Sequence, residues 1–428
     1  MVRHVLRRHW RTIGLVVAML VAGASWIRRA GDFAGYVTVG RLVLTGGHIY
    51  ADAGPGLNTW PPFFSLLCVP LALLAAPTPY LARGCWILLN FALLLLVLRI
   101  LARLVYRRDM SLLATSGDLH PTSPELLVPL ILSSRYVLGN FEHQQVNILT
   151  FALALGGLYL HSNRRELLGG VCLGAAASLK VMAVLFIPYL VYRRQWRTAL
   201  SAAATTAALS LSPILVFGPT RFWEYVGAWR AAVEEGWGVG KMNQSVYAMI
   251  DRWIGHGMVP FSVTGADGIP ASGDPRVVVG VAILATIVAL LGLVTFRDGP
   301  RRGSWPDLAE WSVVFICSAI FGPVSWKAYL VVLLLPNTLL FAAWRSSELA
   351  AATRRGAGLV LLTAFTLGGL TTPGLIGKTA ASSLEMTSVV TLAALVLCAG
   401  SLWFRATFAP RSERPTAASA RRPGTSSA

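Results

Sequence analysis

PRVVVGVAILATIVALLGLVTFRDGPRR, residues 275–302, decides the fold class. From Val277 to Phe296 it holds no charged residue, and about 20 apolar residues in a helix cross the hydrocarbon layer of a bilayer. It then runs into Arg297 and the pair Arg301-Arg302, the basic punctuation that marks the cytoplasmic end of a membrane helix. The same punctuation recurs at Arg7-Arg8, Arg107-Arg108, Arg164-Arg165, Arg193-Arg194 and Arg354-Arg355, each pair next to an apolar span.

The rest of the chain extends this pattern. Its 428 residues are 55% hydrophobic and 13% charged, with mean hydropathy +0.61, whereas soluble domains carry about 25% charged residues. The net charge of +18 would suit nucleic acid if it formed a patch, but clusters between apolar spans read as positive-inside loops. The five cysteines all lie in apolar stretches, and no CxxC or HExxH occurs. Neither a disulfide framework nor a zinc site is expected.

Further spans fall near 13–27, 61–76, 80–101, 125–139, 146–162, 167–192, 197–217, 309–323, 328–344, 357–372 and 385–404. With the span at 276–296 they predict an all-α polytopic bundle of about 12 transmembrane helices, one domain over 1–405. The Ser/Ala/Pro/Arg-rich stretch 406–428 reads as a disordered cytoplasmic tail. Placing the double arginines inside makes both termini cytoplasmic and segments 28–60, 140–145, 218–275, 324–327 and 373–384 extracytoplasmic. One conflict arises: if 61–76 and 80–101 both cross, Arg99, Arg103, Arg107 and Arg108 emerge outside. Pro61, Pro62 and Pro70 point to a broken or re-entrant segment there, which restores the parity.

Chemistry must then sit on loops pinned to helix ends. Asp32 is the first acidic residue of the chain, a few residues past a membrane helix. A carboxylate at that boundary could deprotonate a substrate hydroxyl; pairing with Arg28 or Arg29, or capping a helix, is the structural alternative. Tyr36, Arg41, His48, Tyr50 and Trp60 crowd the same outer loop, as does Asp52, whose ADAGPG setting reads as a turn. Only four lysines occur. Lys180 and Lys327 lie inside or at the lip of apolar runs, where a lysine usually has a partner, a function or an interface to reach; a phosphate ligand would suit both. His143, Gln145 and Asn147 in GNFEHQQVN, and Asn243 in KMNQS, offer groups suited to sugar hydroxyls.

In this order the clusters resemble glycosyltransferase family 87, the polyprenol-phosphate-sugar-dependent enzymes of the GT-C membrane fold. The matching pieces are GDFAGY (31–36), GGHIY (46–50), NTWPPFFSLLCVPLALL (58–74), QQVN (144–147), GGVCLGAAASLKVMAVLFIPYLVYRRQWR (169–197), KMNQSVYAMIDR (241–252) and GPVSWKAYLVVLLLP (322–336). Each is weakly specific alone; their joint order and spacing are fairly specific. The resemblance implies a GT-C-like bundle in a bacterial-type plasma membrane that moves mannose or another hexose, with inversion, on the extracytoplasmic face. It implies a polyprenyl-phosphate sugar donor, a glycolipid or glycan acceptor, and no cofactor or metal. Asp32 would be the base, with Lys327, Lys180 and Arg41 on the donor phosphate. Tyr36, His48, Tyr50, Trp60, His143, Gln145, Asn147, Asn243, Trp326 and Tyr329 would meet sugar or acceptor. Many relatives carry one or two histidines just after the Ser-Trp of the last piece, where this chain has Lys327, Ala328 and Tyr329. The competing readings are a secondary transporter or lipid-linked sugar flippase, with ionisable groups near the midplane, and a purely structural assembly partner.

Overall fold

The computed structural model describes residues 2–54, 56–113, 117–235, 238–258 and 269–408. Among them the chain is helical, with no strand beyond two isolated bridges. The helices are α1 (Val2–Trp26), α2 (Phe33–Thr45), α3 (Pro62–Leu74), α4 (Pro79–Leu101, continued by a π turn to Tyr106), α5 (Pro124–Leu132), α6 (Ser134–Glu142), α7 (Asn147–Ser162) and α8 (Glu166–Leu179). A 3-10 helix, Val181–Leu185, leads into α9 (Phe186–Tyr192), α10 (Trp196–Leu211), α11 (Ile214–Phe217), α12 (Pro219–Glu235), α13 (Val246–Ile250), α14 (Pro275–Thr295) and α15 (Trp305–Ile320). A second 3-10 helix, Lys327–Leu333, leads into α16 (Leu334–Arg345), α17 (Ala351–Gly368), α18 (Pro373–Ile376), α19 (Lys378–Met386) and α20 (Val389–Ala406).

Among the described residues, five stretches are long and apolar enough to cross a membrane: Pro79–Tyr106, Trp196–Phe217, Pro275–Thr295, Lys327–Arg345 and Val389–Ala406. Most of the other expected spans fold as shorter or interrupted helices. The span near 125–139 breaks at Ser133 into α5 and α6, and the one near 167–192 becomes three pieces. On α14, Val278, Val279, Ile283, Ile287, Leu290, Leu291 and Val294 are exposed, an outward apolar face that suits lipid and not water. Three segments read as outer loops carry helices: α2 lies within 28–60, α12 and α13 within 218–275, and α18 within 373–384, where α19 also begins. Of the tail 406–428, the part from 409 lies outside the described residues.

The packing resolves the arginine conflict. Ile27 sits at Gly84, while Gly23 sits at Ile87 and Phe91. One helix advances as the other retreats, so α1 and α4 are antiparallel. The far end of α4 returns to the starting end of α1, where Thr12 donates to the Leu112 carbonyl and meets His120 at 3.2 Å. Between them, Tyr36 meets Phe64 at 5.0 Å between ring centroids, and a Cβ at Gly40 would stand 2.2 Å from the Cys68 carbonyl oxygen. Here the two sequences advance together, so α2 and α3 run in the same direction. The 46–61 connection is long because it must carry the chain back to begin α3 level with α2. At about 1.5 Å per residue, each of these 13-residue helices spans about two thirds of a hydrocarbon layer. The 61–76 segment is thus a 13-residue helix, Pro62–Leu74.

The double arginines gather at the end where α4 finishes. Arg107 donates to the Gly303 carbonyl, and Arg302 holds Glu166 at 2.6 Å. Arg193 donates to the Phe296 carbonyl at 3.0 Å, and Arg405 to that of Asp298. Glu310, fully buried, takes Arg405 at 2.7 Å and Arg193 at 3.4 Å. Removing one partner of such a buried pair costs about 3–5 kcal/mol. Asp32 lies just past the opposite end of α1.

Two breaks build that opposite end. After α8, Lys180 is extended (φ −140°, ψ 110°) before the first 3-10 helix. Trp326 is extended (φ −79°, ψ 148°) before the second. Non-helical backbone at membrane depth is tolerated only where it is buried in protein or lines a cavity, and both breaks border one cleft.

Candidate active site

The Asp32 turn is docked on the turn between α6 and α7. Gly31, at φ +49°, approaches so closely that a Cβ would lie 2.3 Å from the His143 carbonyl oxygen. That oxygen accepts the Asp32 backbone N–H at 2.9 Å. Gln144, also at positive φ (49°), clamps the other side: its Nε2 donates to the carbonyls of Trp26 (3.0 Å) and Arg29 (2.5 Å). Its own carbonyl accepts the Trp86 indole N–H at 3.0 Å.

Asp32 opens on a cleft of about 660 Å3 lined by Gly31, Tyr36, Trp60, Gln145, Asn147, Lys180, Trp326 and Tyr329 among others. Among the described residues it is the only carboxylate on that wall. Neither structural alternative for Asp32 is realised. Its side chain makes no cap hydrogen bond to α2, and Arg29 is paired with Glu142. Burial pushes the Asp32 carboxyl above its usual range, with His143, Lys180 and contact with Gln145 pulling it back.

Lys180 stands across the cleft. Its Nζ donates to Asn147 Oδ1 and lies 2.7 Å from the Tyr329 ring centroid, over the face of the ring. Lys180 and Tyr329 also border two further spaces. One, about 950 Å3, runs past Met182, Trp229, Val233 and Val324 and has mainly apolar walls. The other, about 430 Å3, lies among Phe151, Phe186, Phe315 and Val332. A charged pocket thus opens directly onto greasy ones.

Of the residues singled out in the sequence, Asp32, Tyr36, Trp60, Gln145, Asn147, Lys180, Trp326 and Tyr329 share this cleft. Six others do not line it. Lys327 is ion-paired with Glu385 at 2.8 Å. Arg41 is exposed on α2. Asn243 is a staple: its Nδ2 donates to the Gly238 and Pro323 carbonyls at 3.1 and 3.0 Å, and its Oδ1 accepts the Ser325 N–H at 3.0 Å. Tyr50 donates to the Trp60 carbonyl at 2.7 Å. His48 accepts the Ala51 N–H at 2.9 Å and packs edge-on against Tyr225. His143 is exposed and serves Asp32 through its backbone.

Sequence reasoning missed two supports. Gln144 is the clamp just described. Arg252, fully buried, donates to the carbonyls of Val239, Gly240 and Asn243 at 2.8, 3.0 and 2.8 Å, and so holds the segment that staples Trp326 in place. The only sequence signal for Arg252 was an arginine in the apolar half-turn VYAMIDRWI.

A family model described as glycosyltransferase family 87 matches residues 58–319. The match takes in Trp60, Gln145, Asn147 and Lys180; Asp32 precedes it, and Trp326 and Tyr329 follow it. A curated relative from Mycolicibacterium smegmatis (strain ATCC 700084 / mc(2)155) is 25% identical over 391 residues, covering 84% of this chain and 82% of the relative. It is called polyprenol-phosphate-mannose-dependent alpha-(1-2)-phosphatidylinositol mannoside mannosyltransferase. A relative of the same name from Mycobacterium tuberculosis (strain ATCC 25618 / H37Rv) is 26% identical over 337 residues, 74% of this chain and 71% of its own length. A second M. smegmatis relative, named for a phosphatidylinositol pentamannoside, is 26% identical over 291 residues, 66% of this chain and 62% of its own. No solved structure matches.

Proposed function

Since the chain belongs to glycosyltransferase family 87, a membrane glycosyltransferase by its relatives and its apolar helices, we propose the following reaction at the Asp32 cleft. Mannose, or another hexose, passes from a polyprenyl-phosphate donor to a hydroxyl of a glycolipid or glycan acceptor, with inversion at the anomeric carbon. The observation that carries the reading is that, among the described residues, a single carboxylate and a lysine held by an amide and a ring face each other across one cleft that opens onto apolar walls.

Asp32 takes the proton of the acceptor hydroxyl. The oxygen attacks the anomeric carbon as the bond to the lipid phosphate breaks, and the phosphate leaves with the electron pair. Charge grows on the leaving oxygen, and Lys180 stands ready to meet it without reorganising. One carboxylate acting once, with no covalent intermediate, gives inversion. Trp60 and Trp326 supply faces on which a sugar ring can lie. The apolar space past Met182 and Trp229 suits the prenyl chain. A lipid monophosphate brings less charge than a nucleotide diphosphate, so an ammonium suffices and no metal or cofactor is required.

The basic end is cytoplasmic on this reading, because short arginine-rich loops are retained inside. The cleft is then extracytoplasmic and the chain multi-pass, with the shorter helices completing a bundle of about 12. Cysteines introduced at the exposed Leu57 and Ser272 should react with an impermeant label in intact cells; protection at both would reverse the orientation. Transport is not favoured by the comparisons. Transfer of radiolabelled mannose from a polyprenyl-phosphate donor, with wild-type protein and Asp32→Asn in parallel, tests the activity itself.

A further inference from the structure

We propose that a second lipid groove, between α1 and the wall formed by α4, α5 and α6, takes an acyl chain of the acceptor, an anionic glycosyl phospholipid, and delivers its headgroup over the His143 turn to Asp32. The proposal deepens the transfer reading and rests on it for the role of that lipid as acceptor.

α1 is strapped to the bundle at two levels. At the basic end Thr12 donates to the Leu112 carbonyl and meets His120. At the outer end the Trp26 ring stacks on Phe141, 5.0 Å between centroids. Between the straps α1 leans on α4, with Gly23 at Ile87 and Phe91, while α5 packs against α16. The space left between them is a groove of about 910 Å3 with almost wholly apolar walls. Leu127, Ile131 and Leu138 line its lip and are exposed, so it opens sideways to lipid. From Leu15 to Trp26 it follows α1 for about 16 Å at about 1.5 Å per residue. That is about half of a hydrocarbon layer, the depth of one leaflet. None of its lining residues borders the Asp32 cleft or the two apolar spaces beside Lys180.

Inside a bilayer an acyl chain gains no hydrophobic energy by leaving lipid for such a groove. The groove alone orients a chain; selection needs the headgroup, and the mouth supplies it. Leu138 lies one helical turn below Glu142 on α6, and Trp26 stands two residues before Arg28. Arg29 and Glu142 answer each other. Arg28 is exposed, and among the described residues its side chain has no ion-pair partner. Its guanidinium suits a phosphodiester, and the net positive mouth favours an anionic phospholipid over a zwitterionic one.

The same mouth borders the active cleft. Phe141, which closes the groove, is two residues from His143, whose carbonyl accepts the Asp32 N–H at 2.9 Å. Two residues reach at most about 7 Å. Glu142, His143 and Gly31 are exposed along this stretch, so a sugar headgroup lying across them brings a hydroxyl to Asp32. Donor and acceptor chains then reach the carboxylate by separate slots.

The test irradiates purified full-length protein in lipid nanodiscs with mannosyl phosphatidylinositol carrying a diazirine on one acyl chain, and maps the labelled peptides. A tag near the glycerol should mark Trp26 or Phe141, and a terminal tag Leu15 or Leu98. Phosphatidylcholine with the same tags should label the groove less. Arg28→Gln should lower labelling by the anionic probe about two- to fivefold. Ile131→Trp fills the groove from its exposed lip and should lower it further; Ile131→Phe is the milder variant if the first does not fold. In the transfer assay both changes should raise KM for the acceptor and leave KM for the polyprenyl-phosphate donor unchanged. Equal labelling by the two lipids, indifferent to Arg28→Gln, makes this a slot for bulk lipid and overturns the proposal, as does displacement of the probe by polyprenyl phosphate. Wild-type protein that transfers no mannose would remove the catalytic reading, while the labelling would still decide the groove.

Discussion

Lys180 and Lys327 hold comparable places in the chain and different ones in the molecule. Each stands where an extended residue gives way to a 3-10 helix. Lys327 faces Glu385, which is 3% exposed on its side chain and also accepts Arg135 at 2.5 Å. Its charge is answered by a carboxylate. Lys180 meets an amide oxygen and an aromatic face, and among the described residues no carboxylate lies within ion-pair distance. A cation set in apolar surroundings is costly. Where a carboxylate repays that cost, the group belongs to the architecture; where neutral groups merely hold it, the group remains available to an anion that arrives. The same division separates Glu310, tied to two arginines at the basic end, from Asp32, tied to none at the other.

The largest effect that would break this division is at Asp32. Asp32→Asn keeps the size and removes the basic oxygen, and a placed base contributes about 100- to 10,000-fold. The loss should appear in turnover, with donor binding retained. Because burial raises the carboxyl above its usual range, the wild-type enzyme should lose activity as pH falls through a midpoint above that of an ordinary aspartate. A pH profile of kcat/KM checks this, and Asp52→Asn should leave it unchanged. A dead Asp52→Asn enzyme beside an active Asp32→Asn one would move the base to Asp52.

At the structural pole, Arg135→Met should be costly without being catalytic. It strips one cation from a buried carboxylate, for which about 3–5 kcal/mol is typical. Thermal unfolding in detergent measures it, and the surviving folded fraction should transfer sugar at a near-normal rate per molecule.

How much of this was legible in the sequence follows from the range of the forces. A polar residue inside an apolar run announces itself, which is why eight of the residues that line the cleft could be chosen by inspection. Which partner answers it does not show. Glu385 is 58 residues from Lys327, and Asn243 is 82 from the Ser325 amide it holds, so pairing only becomes visible on folding. Helix FAGYVTVGRLVLT was hidden for another reason. It is apolar but too short to cross, so a search for spans leaves it in a loop. Apolar composition also does not reveal the breaks at Ser133 and Lys180, which interrupt the spans near 125–139 and 167–192.

The smallest expected effect lies on the exposed basic rim. Arg99 and Arg103 hold the Asp109 carboxyl well below the usual range. A group depressed on folding adds stability above its unfolded value, and that contribution fades as pH falls through the folded one. The site is open to solvent, so Asp109→Asn should cost under about 1 kcal/mol, seen as a slight drop in melting temperature at neutral pH that vanishes in acid.

The most direct measurement sets the two lysines against each other in one assay. Lys180→Met and Lys327→Met are purified, melted, and titrated with a polyprenyl-phosphate mannose donor. Losing a hydrogen-bonded charge contact of about 1.5–3 kcal/mol should cut kcat/KM for the donor by roughly 10- to 150-fold in Lys180→Met, with melting close to wild type. Lys327→Met should melt lower and keep donor kinetics near normal once corrected for folded protein. Lost donor binding in a stably folded Lys327→Met, beside normal kinetics in Lys180→Met, would contradict the account.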